Sequence, residues 1–177
     1  MADQTPLPPT WRVLAAVLIL PGTLTVVVPV LLLPTSGSTP GWTLPEVAAL
    51  APLFLGLGLV GYGIQLMAHT VSLLRQAGRG SLAPWDPTTK LVVRGPYRRV
   101  RNPMISGVFS VLLGEAVLFG STALLLWFAL FVTLNSVYIP LVEEPGLMKR
   151  FGRDYLAYKD NVPRWLPRRS PWHRRNS

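Results

Sequence analysis

The sequence RGPYRRVRNPMISG, at residues 94–107, changes within a few positions from a basic turn to the start of an apolar helix. Gly95 permits a close backbone approach, while Pro96 and Pro103 restrict the backbone of the turn and of the first helical position. A second polar stretch begins at the acidic pair Glu143-Glu144, which ends the next apolar run and opens a basic tail. We predict that these two polar stretches meet at the face of a membrane and form a functional site.

The composition is that of a membrane protein. Half of the 177 residues are hydrophobic, 14% are charged, and the mean hydropathy is +0.38. A soluble domain carries about 25% charged residues, and apolar runs of about 20 residues are long enough to cross a bilayer. The chain has no cysteine and two histidines, which excludes disulfides and thiol nucleophiles and predicts that there is no metal site. The net charge of +9 is better explained by membrane orientation and anionic lipid than by nucleic acid, so we expect no nucleic-acid partner.

Four apolar stretches predict an all-α, multi-span integral membrane protein with about four transmembrane helices. They lie at residues 11–33, 46–74, 104–119 and 123–142. The first stretch contains Pro21 and Pro29, which membrane helices tolerate where neighbouring groups satisfy the freed backbone. A cleaved signal peptide is the alternative for this stretch, but its apolar part exceeds the usual signal core of about 7–15 residues, which favours a retained helix.

The positive charges predict the orientation of these helices. Seven Lys and Arg lie between residues 75 and 103, and nine follow Glu144. By the positive-inside rule both segments face the cytoplasm. With four spans, both termini of the chain then also lie on the cytoplasmic side. The turns at 34–45 and 120–121 then face the opposite side. The stretch at 104–119 is short for a span, so it would either tilt little or thin the bilayer locally.

We divide the chain into a two-helix membrane scaffold at residues 1–80 and a second region at residues 81–177. Within the scaffold, closely spaced glycines predict a smooth helix face that another helix can approach: Gly56, Gly58, Gly61 and Gly63. In the second region, Glu115 lies inside an apolar stretch, where an ionisable group is costly and should face a partner or a cavity.

The polar stretches carry a motif that resembles a known enzyme family. Its parts are LVVRGPY (91–97), RNP (101–103) with Gly107, EE (143–144), FG (151–152), Tyr155, Tyr158 and VPR (162–164). In order and spacing they are similar to the isoprenylcysteine carboxyl methyltransferase family, and the related phospholipid methyltransferases share the pattern. The resemblance covers residues 89–167. It implies a small helical membrane enzyme that uses S-adenosylmethionine to methylate a lipid-linked or apolar acceptor, with a cofactor pocket on the cytoplasmic side.

The resemblance also implies which residues contact the cofactor. They are Thr89, Lys90, Leu91, Val92, Tyr97, Asn102, Pro103, Met104, Ile105 and Glu143. The chemistry of two of them agrees, because a carboxylate such as Glu143 can pair with the cofactor's ammonium group and the Tyr97 ring can stack on adenine.

Two further residues are candidates for a catalytic role. Arg101 could bind the cofactor's carboxylate, or it could hold Glu143 or Glu144 in place. A carboxylate acceptor needs no general base, whereas for an amine or hydroxyl acceptor Glu144 is the nearest candidate base. The chemical class of the acceptor stays open at this point: an isoprenoid thiol-acid, a phospholipid amine, a fatty acid and a quinone-like compound all fit.

Three positions depart from the family's pattern. Most members have histidine where this chain has Asn102, and often tyrosine where it has Ile105. The prenylcysteine enzymes of eukaryotes carry an arginine at the position of Ile139, so the same carboxylate substrate cannot be assumed. Two alternatives follow: a non-catalytic relative that retains the fold, and an NADPH-dependent enzyme like the sterol reductases.

The basic tail carries aromatic residues in addition. Tyr155 and Tyr158, at i and i+3, predict a tail helix whose aromatic side packs against the membrane surface. Trp165, Trp172 and the sequence PRRSPWHRR at 167–175 predict a segment that binds lipid headgroups.

Overall fold

The structure, a computed structural model, describes residues 18–35, 46–78 and 91–173. Within these ranges all regular secondary structure is helical, which confirms the all-α prediction. The first helical segment, α1, is π-helical over Leu18–Val27, α-helical over Val28–Leu32 and 3₁₀-helical over Leu33–Thr35. The later α-helices are α2 (Glu46–Leu73), α3 (Pro103–Phe119), α4 (Thr122–Tyr138), α5 (Glu144–Phe151) and α6 (Arg153–Asn161).

Two of the described helices are long and apolar enough to cross a membrane. One, Leu50–Gln76, comprises most of α2 and of its π-helical continuation, and the other, Thr122–Phe151, comprises α4, the π-helical residues Ile139–Glu143 and α5. The other two apolar helices, Pro21–Thr35 and Pro103–Phe119, are shorter, and the 17 residues of α3 rise about 25 Å against a hydrocarbon core of about 30 Å. The arrangement with four spans and cytoplasmic termini therefore stays a prediction.

A tight turn joins α3 to α4. Gly120 ends α3 in the left-handed conformation with φ 57°, where a side chain would be strained. Ser121 then caps α4, since its hydroxyl oxygen accepts a hydrogen bond from the Leu124 amide at 3.3 Å. The helical hairpin with a break at residues 120–121 is thus confirmed.

Helices α2 and α3 pack so closely that their backbones touch at two glycine pairs. A Cβ on Gly56 would lie 2.9 Å from the Gly114 carbonyl oxygen, and one on Gly63 would lie 2.6 Å from that of Gly107. Between the two pairs, the Ser110 hydroxyl donates to the Leu59 carbonyl at 2.8 Å. Small residues that admit such an approach are the usual means of helix association in lipid.

The predicted glycine face of α2 is therefore correct for two of its four members. A Cβ on Gly58 or on Gly61 would have no neighbouring atom within 4 Å among the described residues. The two pairs that touch are one heptad apart on each helix, so they repeat along one seam.

Helix α1 rests on α4 at the point where its prolines interrupt the backbone. Pro29 has no N–H to give to the carbonyl of Leu24, five residues earlier in a π-helical pattern. The Trp127 indole donates to that carbonyl at 3.3 Å. The Thr25 hydroxyl likewise donates to the Pro21 carbonyl at 2.7 Å. Side chains thus supply donors to the backbone, as expected for a proline-containing membrane helix.

The glycine seam predicts opposite effects for two similar substitutions. Gly63→Ala places a methyl group against the Gly107 carbonyl, and the overpacking should lower the free energy of unfolding by about 1–3 kcal/mol. Gly61→Ala, half a turn away on the same helix, adds its methyl group to open space and removes a residue of low helix propensity. Its melting temperature in detergent should equal or exceed that of the wild type. Equal melting temperatures for the two variants would contradict the close packing of α2 on α3.

Candidate functional site

The loop before α3 is seated on the end of α2. Gly95 has a φ of 52°, and a Cβ there would lie 2.7 Å from Leu73 Cδ1 and 3.1 Å from His69 Nε2. A side chain at Gly95 would therefore be strained and would collide with α2. The following residues form a 3₁₀ turn, Gly95–Arg98. Gly95, which was predicted to allow a close backbone approach, does so. It determines how closely the loop packs on α2.

The C-terminal tail lies along the same loop and bonds to its backbone. The Arg101 amide donates to the Pro163 carbonyl, the Arg168 amide to the Arg99 carbonyl, and the Trp172 amide to the Arg98 carbonyl, each at 2.9 Å. The two polar stretches singled out in the sequence therefore meet. The loop, the glutamate pair and the tail form one polar unit at one end of the helices.

A small apolar core of its own supports this unit. Tyr155, Tyr158 and Val162 are buried and pack against Leu91 and Val93 of the loop. The Tyr158 hydroxyl donates to the Tyr97 carbonyl at 2.7 Å. The prediction that Tyr155 and Tyr158 face the membrane surface is wrong, because both rings are used inside the protein to attach α6 to the loop.

Glu144 is the centre of an ionic cluster, which we call the Glu144 cluster. Its carboxylate is 3% exposed and lies 3.1 Å from Arg101 Nη1, 2.8 Å from Arg164 Nη2 and 2.9 Å from Lys159 Nζ. Arg164 also donates through Nε at 2.8 Å. A buried carboxylate is tolerated only when its charge is paired, so the cluster holds loop, α5 and tail in one arrangement.

Glu143 is in a different environment. It is half-buried, and among the described residues it has neither an ion-pair nor a hydrogen-bond partner. Burial raises the pKa of the Tyr97 hydroxyl, and the Glu143 carboxylate raises that pKa further, so the two side chains are close enough to interact electrostatically.

The local backbone explains why neighbouring glutamates differ. The helix is π-helical over Ile139–Glu143, where Pro140 interrupts it, and it becomes α-helical again from Glu144. Successive residues of a helix point about 100° apart. Glu144 is directed to the tail, and Glu143 therefore points in a different direction.

The other predicted cofactor residues surround the start of α3. Asn102 is half-buried, precedes the first helical residue and makes no side-chain capping bond. Pro103 is buried at that first position, and Met104 is half-buried. Ile105 packs against the apolar cluster of Val108, Leu112 and Phe131 between α3 and α4. Among the loop residues, Val92 is buried and Leu91 is half-buried, whereas Thr89 and Lys90 lie outside the described residues.

Sequence reasoning missed several members of this unit. Lys159 and Arg164 received no role, although VPR at 162–164 was part of the motif, because a single cation in a basic tail carries no sign of its partner. The contact of His69 with Gly95 was also missed. Of the two roles considered for Arg101, the structure shows the pairing with Glu144.

Glu115 does not belong to this unit. It lies near the other end of α3, about 18 Å along the helix from Pro103. Its Oε2 atom is buried without a hydrogen-bond partner among the described residues. Asn135 on α4 is a possible partner for Glu115, but its amide donates to the Phe131 carbonyl of its own helix.

The resulting arrangement favours an amphipathic, cationic ligand. The candidate residues comprise a half-buried carboxylate without a described partner, the aromatic ring of Tyr97 within its electrostatic reach, the half-buried amide Asn102 and the half-buried apolar side chain Met104. A carboxylate of this kind pairs with an ammonium group, and the ring and the apolar side chain offer a flat hydrophobic surface.

Substitution of each glutamate by glutamine should separate their roles in stability. Glu144→Gln leaves the buried Arg101 without a counter-charge, which should lower the free energy of unfolding by about 3 kcal/mol. Glu143→Gln makes the same chemical change one residue earlier and removes no ion pair with a described residue, so its melting temperature should match or slightly exceed the wild type. Thermal unfolding in detergent, together with the rate of proteolysis of the tail, measures both. Equal destabilisation by the two variants would contradict the assignment of the stabilising ion pairs to Glu144 alone of the two glutamates.

Comparison with known proteins gave one match. The family model described as phospholipid methyltransferase matches residues 51–154, which is more than half of the chain. No curated protein and no solved structure matches. The matched region begins in α2 and includes Tyr97, Asn102 and both glutamates, but it ends before Lys159 and Arg164.

Proposed function

Because the chain belongs to the phospholipid methyltransferase family, whose members are membrane methyltransferases, we propose that it transfers a methyl group from S-adenosylmethionine to a lipid-linked or apolar acceptor. The coarse part of this function, a membrane methyltransferase, follows from family membership and from the apolar helices. The cofactor, its binding residues and the acceptor class are the proposal.

The difference between the two adjacent glutamates carries the proposal. Glu144 is paired with three cations, whereas Glu143 is half-buried within electrostatic reach of Tyr97 and has no described partner. A half-buried carboxylate is unfavourable unless its charge is paired, and Glu143 has no partner among the described residues, so we infer that the site favours a cationic ligand. The ammonium group of S-adenosylmethionine supplies that charge, and its adenine ring suits the Tyr97 ring. The residues present fit the cofactor in this respect.

The remaining residues of the site complete the same picture. The Asn102 side chain, which makes no capping bond, can hydrogen-bond to a polar part of the cofactor in place of the histidine that is usual in the family. Leu91, Val92, Pro103, Met104 and Ile105 supply apolar contacts, and Thr89 and Lys90 stay in the proposal as residues outside the described ranges. Arg101 already serves Glu144, so we assign it a positioning role.

The chain's own residues position the reactants and exclude water. The bound cofactor supplies a methyl group on a sulfonium, and displacement at that carbon depends on alignment and exclusion of water. The Glu144 cluster and the tail cover the loop, which serves both purposes. Glu144 itself is a poor proton acceptor, since protonation would break its three ion pairs. We therefore favour a positioning role for Glu144 over a role as general base.

An apolar acceptor would enter from the bilayer. The polar unit lies directly beyond the apolar helices, and the outer faces of α2 and α4 expose large hydrophobic side chains. Such an acceptor is most concentrated in the lipid beside these helices. From the charge pattern we infer that the unit and both termini lie on the cytoplasmic side.

Titration calorimetry of the protein in lipid nanodiscs with S-adenosylmethionine and with its demethylated product tests the proposal. Wild type should bind both. Glu143→Gln keeps the shape but removes the charge that pairs with the ammonium group, and loss of a charged hydrogen bond of about 1.5–3 kcal/mol weakens binding roughly tenfold to a hundredfold. The matched control is Asp160→Asn, which neutralises an exposed carboxylate on α6 and should leave the affinity unchanged.

The other outcomes discriminate between the alternatives. Binding of NADPH in place of S-adenosylmethionine would favour an enzyme like the sterol reductases. Binding of neither ligand by folded protein would favour a non-catalytic relative. If Glu143→Gln bound S-adenosylmethionine with wild-type affinity, the Glu143 carboxylate would not be part of the cofactor site.

A further inference from the structure

The pairing of loop and tail brings two arginine doublets together. Arg98-Arg99 belongs to the loop and Arg168-Arg169 to the tail, and the Arg168 amide donates to the Arg99 carbonyl at 2.9 Å. The Arg99 guanidinium also reaches the Arg169 carbonyl at 3.3 Å. We call these four side chains the double-arginine surface.

The double-arginine surface has no counter-charge within the described part of the chain. The guanidinium groups of Arg98, Arg99 and Arg168 contact backbone carbonyls, and His173 lies 3.4 Å from Arg98 Nη1. None of the four arginines makes an ion pair with a described carboxylate. Like charges held side by side repel one another. Backbone hydrogen bonds enforce this arrangement, so an anion bound there would be favourable. Guanidinium groups match phosphate oxygens in particular.

The neighbouring tail residues indicate that the anion belongs to a membrane. The Trp165 ring packs on Phe109 with ring centroids 5.0 Å apart, which places this part of the tail beside the second turn of α3. The next residue, Leu166, is 81% exposed. An exposed leucine at the level of a membrane helix, followed by two arginines, is typical of segments that insert a side chain below the headgroups and contact the headgroups with cations.

We propose that the double-arginine surface and Leu166 form a docking site for anionic phospholipids, with the headgroup phosphate on the arginines and Leu166 among the acyl chains. The exposed leucine favours a lipid over free phosphate, because free phosphate has no apolar part that could contact it. Since one doublet belongs to the loop and the other to the tail, lipid docking also stabilises the pairing of tail and loop. The site is independent of the methyl donor.

The absence of cysteine from the chain allows a direct test. Ser170→Cys, at an exposed position next to the second doublet, takes a single nitroxide label on the full-length protein. The label's mobility is then measured in nanodiscs of neutral phosphatidylcholine and of phosphatidylcholine containing phosphatidylglycerol. We expect the label to be immobilised in the anionic discs and released at about 1 M salt, where the screening length falls to about 3 Å.

Variants in the labelled background identify the groups responsible. In Arg168→Gln/Arg169→Gln, the ratio of immobilised to mobile label in anionic discs should fall roughly fivefold for each arginine removed. The matched control, Lys149→Gln/Arg150→Gln, removes two exposed charges from α5 and should retain the immobilisation. Leu166→Ser keeps every charge and should also release the label.

Three results would overturn the proposal. They are equal mobility in neutral and anionic discs, equal loss in the α5 control, and complete release of the label by millimolar inorganic phosphate, which would indicate a site for free anions. None of these readouts involves S-adenosylmethionine, so failure here is distinct from failure of the proposed methyl transfer.

Discussion

The burial of the Glu144 carboxylate is the constraint on which the polar unit depends. A carboxylate at 3% exposure must be paired, and its partners come from three places: Arg101 in the loop, Lys159 on α6 and Arg164 in the tail. Its burial is favourable only while its charge is paired, and all three segments contribute to that pairing. Their convergence buries Tyr158 against the Tyr97 carbonyl and places Tyr97 beside Glu143. The site is thus a consequence of satisfying one buried charge.

The platform under this unit depends on a different interaction. In a bilayer the lipid chains are as apolar as the helix surfaces, so helices associate by close packing and not by hydrophobic exclusion. Gly56 and Gly63 meet Gly114 and Gly107 at backbone contact. This seam fixes how far the end of α2 stands from the start of α3. Gly95 packs on the end of α2, and Asn102 directly precedes the first residue of α3. The seam therefore also determines the geometry of the loop between Gly95 and Asn102.

The helices joined by the glycine seam and the polar unit held by the Glu144 cluster differ in the environment that they suit. Apolar helices with exposed outer faces suit a lipid environment and an apolar reactant. The polar unit at their end contains the charged groups that we propose bind the water-soluble donor. The double-arginine surface and Leu166 lie at the rim between the two, where a headgroup and an acyl chain can be contacted together.

The sequence by itself determined the helical class, the limits of the hairpin and the two polar stretches that form the site. These depend on local features: apolar runs, the break at Gly120 and clusters of charge, which act over a few residues. Only the tertiary structure decided which glutamate is paired and which glycines touch. It also decided that Tyr158 serves the loop and not the membrane surface. Such contacts join residues as far as 61 positions apart. They depend on helix rotation and register, and these are set by the packing of whole segments against each other.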